Sequence, residues 1–253
     1  KKDRVIVTGG AGFIGSAMVW KLNEEGLDRI LIVDRLGTTD KWKNLAKRRF
    51  ADYMHKDEFL QAIRTGRFRH PVQAVIHMGA CSSTTERDAD YLMSNNYRYS
   101  VELAKWALAK GVRFIYASSA ATYGDGSRGF SDDDGVTGSL LPINMYGYSK
   151  QLFDLWVLSN RLQKRVVGIK FFNVFGPNEY HKEDMRSMVH KSFGQIRETG
   201  KVRLFKSHRP DYRDGEQRRD FVYVKDCVEV LWWFYRHRKV GGIFNLGSGY
   251  ART

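Results

Sequence analysis

A chain of 253 residues, 42% hydrophobic and 28% charged with only 4 prolines, is long enough for one sizeable α/β core, and its composition excludes a disordered or fibrous protein. The net charge of +14, concentrated at 41–49 and 197–219, indicates a solvated basic surface or attraction of an anionic ligand such as a nucleotide diphosphate. The sequence shows no recognisable nucleic-acid-binding motif, which argues against a nucleic-acid binder. No apolar stretch reaches the roughly 18 residues that a membrane span needs, so we expect no membrane partner.

The cysteines and the first residues predict a compartment. Cys81 and Cys227 lie far apart and in no C-x-x-C spacing, which argues against a disulfide framework and against a zinc or other metal site. Two reduced thiols are typical of a cytoplasmic protein. The sequence begins with a strand and a glycine-rich turn, so we also expect no signal peptide.

Short apolar strands alternate with helical stretches along the chain, which is the rhythm of βαβ units in a parallel sheet. Strands are predicted, in chain order, at Arg4–Thr8, Ile30–Asp34, Ala74–Met78, Val112–Ser118, Val166–Phe172 and Gly242–Leu246. Helices are predicted at Phe13–Glu25, Tyr91–Ala109, Tyr146–Arg161 and Lys225–Arg238. We therefore predict an α/β fold with a doubly wound, Rossmann-type parallel sheet.

The first predicted strand runs into a glycine-rich turn. Gly9, Gly12 and Gly15 stand between this strand and the first helix. One glycine permits the tight turn, one lets the backbone approach a pyrophosphate, and one allows close helix packing. The free N–H groups of the following helix then favour phosphate. The turn lies in the context that a dinucleotide site requires, so we predict one here.

The end of the second strand bears on the choice of cofactor. Asp34 stands where an acid usually accepts hydrogen bonds from the adenosine ribose. A free carboxylate would repel the 2′-phosphate of NADP, but Arg35 follows directly and Lys41 and Lys43 lie a few residues on, and these cations could hold that phosphate. The residues therefore favour NADP and leave NAD open.

A catalytic group is predicted around Tyr146 and Lys150, whose Y-x-x-x-K spacing places them on one face of a helix. A free tyrosine has a pKa of about 10, which we expect the neighbouring ammonium to lower. Ser119, at a strand end, is expected to position a substrate hydroxyl while Tyr146 takes its proton and a nicotinamide accepts the hydride. Tyr148 has no such partner, because the residue four positions on is Leu152.

Motifs along the whole chain resemble those of the extended short-chain dehydrogenases/reductases of the NAD-dependent epimerase/dehydratase family. The matching stretches are VTGGAGFIGS, ADYMHKDEF, HMGACSSTTE, NNYRYS, YASSAATYGD, MYGYSK, FFNVFGP, RRDFVYVKD and FNLGSG. Within the family, GACSSTTE and YASSAATYG are most similar to the sugar-nucleotide epimerases that act on ADP-heptose. The resemblance implies that C6 of the heptose in ADP-D-glycero-D-manno-heptose is oxidised by bound NADP and reduced from the other face, which supplies heptose for lipopolysaccharide.

The resemblance also implies residue roles. Lys182 would be a second acid/base group, and His181 would orient its loop. Further cofactor contacts are implied for Phe13, Ile14, Lys56, Met78, Gly79, Ala80, Cys81, Ser82 and Asn95. Substrate contacts are implied for Ser119, Asn173, Val174, Asp184, Lys191, Phe205 and Arg219.

Arg219 suits a diphosphate because its guanidinium donates in bidentate fashion. The chain departs from the family's usual residues at three positions. Asparagine is usual at Arg35, serine at Asp184 and histidine at Lys191. The substrate contacts therefore rest on a looser match than the catalytic group does.

The resemblance further implies an assembly and a domain division. We expect an NADP-binding Rossmann domain at 1–173, part of a substrate-binding lobe at 174–220, and a return to the Rossmann domain at 221–253. Because relatives continue for several dozen residues, we expect the C-terminal lobe to be incomplete. Family members are homo-oligomers, described as pentamers, and the implied substrate partner is ADP-heptose.

Two alternatives stay open. A UDP-hexose 4-epimerase shares the same general motifs. A non-catalytic NADP-binding regulatory protein is the alternative of another class, although intact Tyr146, Lys150 and Ser119 argue against it. A 4,6-dehydratase needs an acid pair after the strand-end residue, whereas Ser119 is followed by Ala120 and Ala121.

Overall fold

The structure is a computed structural model that describes residues 3–208, 210 and 213–253. Within these ranges seven parallel strands form one sheet in the order β3-β2-β1-β4-β5-β6-β9. The strands are β1 Arg4–Thr8, β2 Ile30–Asp34, β3 Asp52–His55, β4 Val72–His77, β5 Arg113–Ser119, β6 Val166–Phe171 and β9 Gly242–Leu246. The order reverses between β1 and β4, which confirms the predicted doubly wound Rossmann-type fold.

Three short strands form a second, smaller sheet. Its members are β7 Asn173–Phe175, β8 Arg219–Tyr223 and β10 Ala251–Arg252, in the order β10-β8-β7. β8 runs parallel to β7 and antiparallel to β10. Residues on both sides of the segment 174–220 therefore meet in one sheet. The proposed division into domains stays a prediction.

The helices are α1 Phe13–Glu24, α2 Lys56–Arg64, α3 Ala89–Leu92, α4 Tyr99–Ala109, α5 Met145–Ser159, α6 Met188–Thr199 and α7 Val224–Arg236. A π-helical segment, Met93–Arg98, joins α3 to α4. The single helix predicted at Tyr91–Ala109 is therefore interrupted, and such π-segments are frequent at functional sites. Within the described ranges, no helix has both the length and the apolar character needed to cross a membrane.

Each face of the large sheet packs against its own set of helices. Helices α1 and α7 form one hydrophobic core, to which Leu22 and Leu231 contribute. Helices α2, α4 and α5 form the other, with Phe59, Leu103 and Phe153. Strands covered on both faces become continuous apolar runs, which explains why they could be recognised from the sequence.

A buried histidine fastens the end of β4. His77 is 2% exposed, with Nδ1 2.6 Å from Thr8 Oγ1 and Nε2 2.8 Å from Ser100 Oγ. The Ser100 hydroxyl donates to the Asn96 carbonyl, so its oxygen accepts from Nε2–H, and Nδ1 accepts from Thr8. Both ring nitrogens are satisfied by a neutral imidazole, and burial lowers the pKa of His77 to about 3.

This histidine predicts an acid-sensitive stability. Below a pH of about 6.5 the unfolded chain takes up a proton at His77, whereas the folded chain does not until about pH 3. The free energy of unfolding should therefore fall as pH drops through this window, with a His77 contribution of roughly 4 kcal/mol. Urea unfolding at several pH values should show a flatter decline for His77→Gln, while the exposed control His70→Gln should decline as the wild type does. Parallel declines in all three proteins would contradict the assignment.

Candidate active site

A cleft of about 450 Å³ opens at the carboxyl ends of the strands, beside the point where strand order reverses between β1 and β4. Ligands bind at this position in open α/β sheets. All the residues predicted to contact a cofactor line it: Gly9, Gly12, Phe13, Ile14, Gly15, Asp34, Arg35, Lys41, Lys56, Met78, Gly79, Ala80, Cys81, Ser82, Asn95 and Lys150. Their role as cofactor ligands stays a prediction.

The glycine turn forms one end of the cleft, where bare backbone is packed too closely for side chains. Gly9 has a φ of +63°, and a Cβ on it would lie 2.7 Å from the Cα of Gly79. A Cβ on Gly15 would lie 2.0 Å from the Gly9 carbonyl oxygen. Helix α1 begins directly after Gly12, so its positive end faces the cleft. This cradle fits a pyrophosphate.

Asp34, at the end of β2, is buried and already has three partners. Its Oδ2 accepts from the Ala11 N–H at 2.8 Å, and its Oδ1 accepts from the Arg35 N–H at 2.7 Å. The Lys41 ammonium lies 2.5 Å from the same Oδ1. Lys41 therefore neutralises the carboxylate, and the Arg35 guanidinium remains as an exposed cation at the rim of the cleft.

Helix α5 brings the predicted catalytic residues to the cleft. Its N-cap, Asn144, accepts the Gly147 N–H at 2.8 Å, and Gly147 lets the helix approach the turn that follows β5, because a Cβ there would lie 2.5 Å from the Ala121 carbonyl. Tyr146 and Lys150 both line the cleft, whereas Tyr148 is 44% exposed. The predicted distinction between the two tyrosines agrees with their positions.

The expected electrostatic role of Lys150 differs from the observed one. Burial raises the pKa of Tyr146, and a hydrogen bond with the Ser119 side chain opposes that rise. The Lys150 ammonium donates to the Ala117 carbonyl at 2.7 Å, and burial lowers its pKa to about 8. The predicted lowering of the Tyr146 pKa is therefore wrong here, because burial outweighs the hydrogen bond with Ser119.

Lys182 reaches the cleft from a loop formed by residues 176–187, hereafter the Lys182 loop. Its ammonium lies 5.3 Å from the centre of the Phe13 ring, and burial lowers its pKa. Glu179, which is 1% exposed, closes the loop by accepting from the Gly176 N–H at 3.2 Å and the Ser187 hydroxyl at 2.8 Å. The sequence gives no signal for the role of Glu179, because a charged loop residue is usually exposed.

Two asparagines tie the Lys182 loop to the glycine turn. The Asn44 amide nitrogen lies 2.9 Å from the Ala11 carbonyl and 3.2 Å from Nδ1 of His181. The Asn178 amide donates to Ser16 Oγ at 3.1 Å. His181 thus contacts its own loop's anchor, as expected of an orienting residue. Neither asparagine could be singled out beforehand, because a polar residue in a loop gives no signal of a distant partner.

The residues predicted to bind substrate are divided between two places. Ser119 and Val174 line the cleft. The other five lie outside its lining: Asn173 donates to the Asp220 carbonyl, Lys191 donates to the Asp184 carbonyl, Phe205 is 59% exposed, and Arg219 donates to the Arg218 carbonyl. The chain therefore brings the catalytic and cofactor sets together in the lining of the cleft, which does not include most of the substrate set.

The chain is similar to known proteins over nearly its whole length. Residues 5–247 match the NAD dependent epimerase/dehydratase family. A protein of Nitratidesulfovibrio vulgaris (strain DP4), named ADP-L-glycero-D-manno-heptose-6-epimerase, is 60% identical over 248 residues, which cover 98% of this chain and 77% of that protein. One of the same name from Fusobacterium nucleatum is 50% identical, covering 98% and 76%.

Among solved structures, the Helicobacter pylori ADP-L-glycero-D-manno-heptose-6-epimerase superposes with a TM-score of 0.84 at 30% identity, covering 99% of this chain and 77% of that one. The family match spans the sheet, the glycine turn, α5 and the Lys182 loop. It therefore includes each element that builds the cleft. Because of this match and the identity to these relatives, the chain belongs to the NAD dependent epimerase/dehydratase family.

Proposed function

We propose that the chain is a sugar-nucleotide epimerase that inverts C6 of the heptose in ADP-D-glycero-D-manno-heptose and gives ADP-L-glycero-D-manno-heptose. The names of its relatives support the substrate. One observation supports the chemistry most directly: Tyr146 and Lys182 reach the same cleft from different elements. Inversion by oxidation and re-reduction presents two faces of one carbon, and each orientation needs its own proton acceptor or donor.

The cleft fits a nicotinamide dinucleotide, which supplies a hydride acceptor and donor when it is bound. The bare backbone of the glycine turn would hold the pyrophosphate. We propose NADP over NAD, because Lys41 has neutralised the Asp34 carboxylate and Arg35 remains to pair with a 2′-phosphate.

The side chains have complementary tasks in this proposal. Ser119 holds the C6 hydroxyl, and Tyr146 takes its proton as the hydride leaves C6. The resulting ketone turns about its bond to C5, and Lys182 returns a proton to the oxygen as hydride adds to the opposite face. No net redox change results. Burial lowers the pKa of Lys182, which brings it nearer to neutral pH and suits a proton donor.

Lys182→Met is expected to lower kcat by about 100-fold or more, as is typical when a general acid is lost. Methionine keeps an apolar stem beside Phe13, so cofactor affinity should change little. Steady-state kinetics and cofactor titration would measure the two quantities. Lys201→Met, at an exposed position outside the cleft, is the matched control. A Lys182 variant with kcat like that of the control would remove Lys182 from the mechanism.

Arg35→Ser is expected to weaken NADP binding by about 10-fold or more while NAD binding changes little, because only NADP carries the phosphate that Arg35 would pair with. Titration with each cofactor, together with mass and absorbance spectra of what co-purifies, would measure this. Lys43→Ser is the control, since Lys43, the third cation of this stretch, lies outside the lining of the cleft and pairs with Asp40 at 2.8 Å. Equal losses for the two cofactors would contradict the proposed preference.

Parallel incubations with ADP-D-glycero-D-manno-heptose and UDP-glucose, followed by NMR, test the substrate. Conversion of the ADP-heptose supports the proposal. Turnover of UDP-glucose alone would favour the 4-epimerase alternative, and cofactor binding without any turnover would favour a regulatory protein. The homo-oligomeric assembly and the cytoplasmic location stay predictions, which sedimentation and fractionation would test.

A further inference from the structure

A buried ion pair lies beneath the catalytic helix and has no part in the proton transfers described above. Asp154 and Lys170 are 0% and 1% exposed, with Oδ2 and Nζ 2.9 Å apart. Among the described residues, it is the ion pair whose two side chains are both fully withdrawn from solvent. Asp154 follows Lys150 by one turn of α5, and Lys170 is in β6. Two charges are costly to bury, and apolar residues of similar volume would often hold the helix and the strand together equally well.

The carboxylate of Asp154 is satisfied by two neighbouring strands. Besides Lys170, it accepts from the Tyr116 hydroxyl at 2.9 Å and from Ser118 Oγ at 2.7 Å. The adjacent strand makes room for this arrangement, because a Cβ on Gly168 would lie 2.4 Å from the Tyr116 hydroxyl oxygen. The network therefore fixes α5 to both β5 and β6.

The same network leads into the cleft by two routes. Lys170 donates to Thr122 Oγ1 at 2.9 Å, and the Thr122 hydroxyl donates to the Ser119 carbonyl at 2.8 Å. By the second route, the negative charge of Asp154 opposes the effect of burial on Lys150 and raises its pKa. The Asp154 carboxylate is thus linked through Lys170 and Thr122 to the Ser119 carbonyl. Its charge also favours the ammonium form of Lys150.

We propose that Asp154 is a positioning residue of the reaction: it holds Lys150 in the ammonium form and, with Lys170, fixes the catalytic helix against the strand that carries Ser119. This inference rests on the proposed function for its kinetic readout. Its chemical content is local: a buried carboxylate pairs with the Lys170 ammonium and lies one helical turn from the buried Lys150. A contact that only stabilised the packing of the helix would have no effect on the charge of Lys150.

Other titratable groups surround Lys150 and must be separated from it in any pH profile. His77 faces it from β4 and is neutral above about pH 3. Tyr146, on the same helix face, has a pKa raised by burial. Cys81 lies near Tyr146, and Lys182 is across the cleft. A direct signal from Lys150 removes the ambiguity with these groups.

The test compares Asp154→Asn, Tyr116→Phe and the double variant Asp154→Asn/Lys170→Met across pH. Loss of the carboxylate should lower the pKa of Lys150 by about one unit or more. Because the Lys150 ammonium is one of the predicted cofactor contacts, the decline in kcat at alkaline pH should move to lower pH with it. Tyr116→Phe removes a hydrogen bond to the same carboxylate but no charge, so its pH profile should match the wild type. The double variant removes both charges, so it should recover thermal stability while its pH profile stays shifted.

The ammonium ¹⁵N signal of Lys150 gives a readout independent of turnover. Assigned by its absence in Lys150→Met, this signal should disappear at lower pH in Asp154→Asn than in the wild type or Tyr116→Phe. A wild type that converts no sugar nucleotide would count against the proposed function, and the signal would still test the inference. An unchanged Lys150 titration, or a double variant whose profile returns to wild type along with its stability, would overturn it.

Discussion

Tyr146→Phe is expected to abolish most turnover, with kcat reduced by about 1,000-fold or more. Phenylalanine fills the space of the ring but lacks the hydroxyl that hydrogen-bonds with Ser119 and that the proposal makes the proton acceptor. Helix α5 and its cap at Asn144 are untouched, so folding and dinucleotide binding should persist. A loss of kcat with unchanged cofactor affinity is the signature of an interaction made in the transition state.

Steady-state kinetics on ADP-heptose and a fluorescence titration with NADPH would measure this. Tyr148→Phe is the matched control, because Tyr148 is an exposed tyrosine two residues away on the same helix and should keep wild-type kcat. If Tyr146→Phe turned over like Tyr148→Phe, the phenol would not be the base. If Tyr146→Phe lost cofactor binding as well, the hydroxyl of Tyr146 would have a role in cofactor binding that the proposal does not give it.

Gly15→Ala is expected to disrupt the cleft itself. The added Cβ would lie 2.0 Å from the Gly9 carbonyl oxygen and 2.8 Å from its carbonyl carbon, so α1 and the glycine turn must separate. Overpacking of this kind costs about 1–3 kcal/mol of folding free energy. Cofactor affinity should fall with it, and turnover by about 100-fold, since a displacement of about 1 Å suffices for such a loss.

Thermal unfolding, NADP titration and kinetics would measure the three effects. The control is Gly194→Ala in the middle of α6, where a Cβ meets no atom within 4 Å and alanine favours helix by about 1 kcal/mol. That variant should be as stable as the wild type or more so. A Gly15→Ala protein that bound NADP normally would show that the close approach of α1 to the turn is unimportant.

The parts of the fold that could be predicted are those with a local signal. β1 and β2 were predicted with their observed bounds, because buried strands carry runs of apolar residues. β3 and α2 were missed as elements. Asp52–His55 is short and polar at its exposed edge, and the helix after it begins without a break, so neither shows the length or the periodicity on which such predictions depend.

The site was predicted as far as motifs reach and no further. Spacing alone brings Tyr146 and Lys150 to one helix face, and the glycine pattern marks the phosphate end. Interactions between distant residues have no such signature. Neither the Lys41 pair with Asp34 nor the hold of Asn44 on the Lys182 loop could be read beforehand. The pKa of Tyr146 was mispredicted for a related reason, since burial, a tertiary property, is the largest influence on it.

A deuterium label at C6 tests most directly whether a hydride leaves C6 and returns to the same carbon within this cleft. ADP-D-glycero-D-manno-heptose carrying deuterium at C6 would be incubated with the protein and cofactor in ordinary water and followed by NMR and mass spectrometry. We expect a mixture of the two C6 epimers, each retaining its deuterium, with no net change in cofactor oxidation state. Loss of the label to solvent, or no epimer formed by the cofactor-loaded protein, would contradict it.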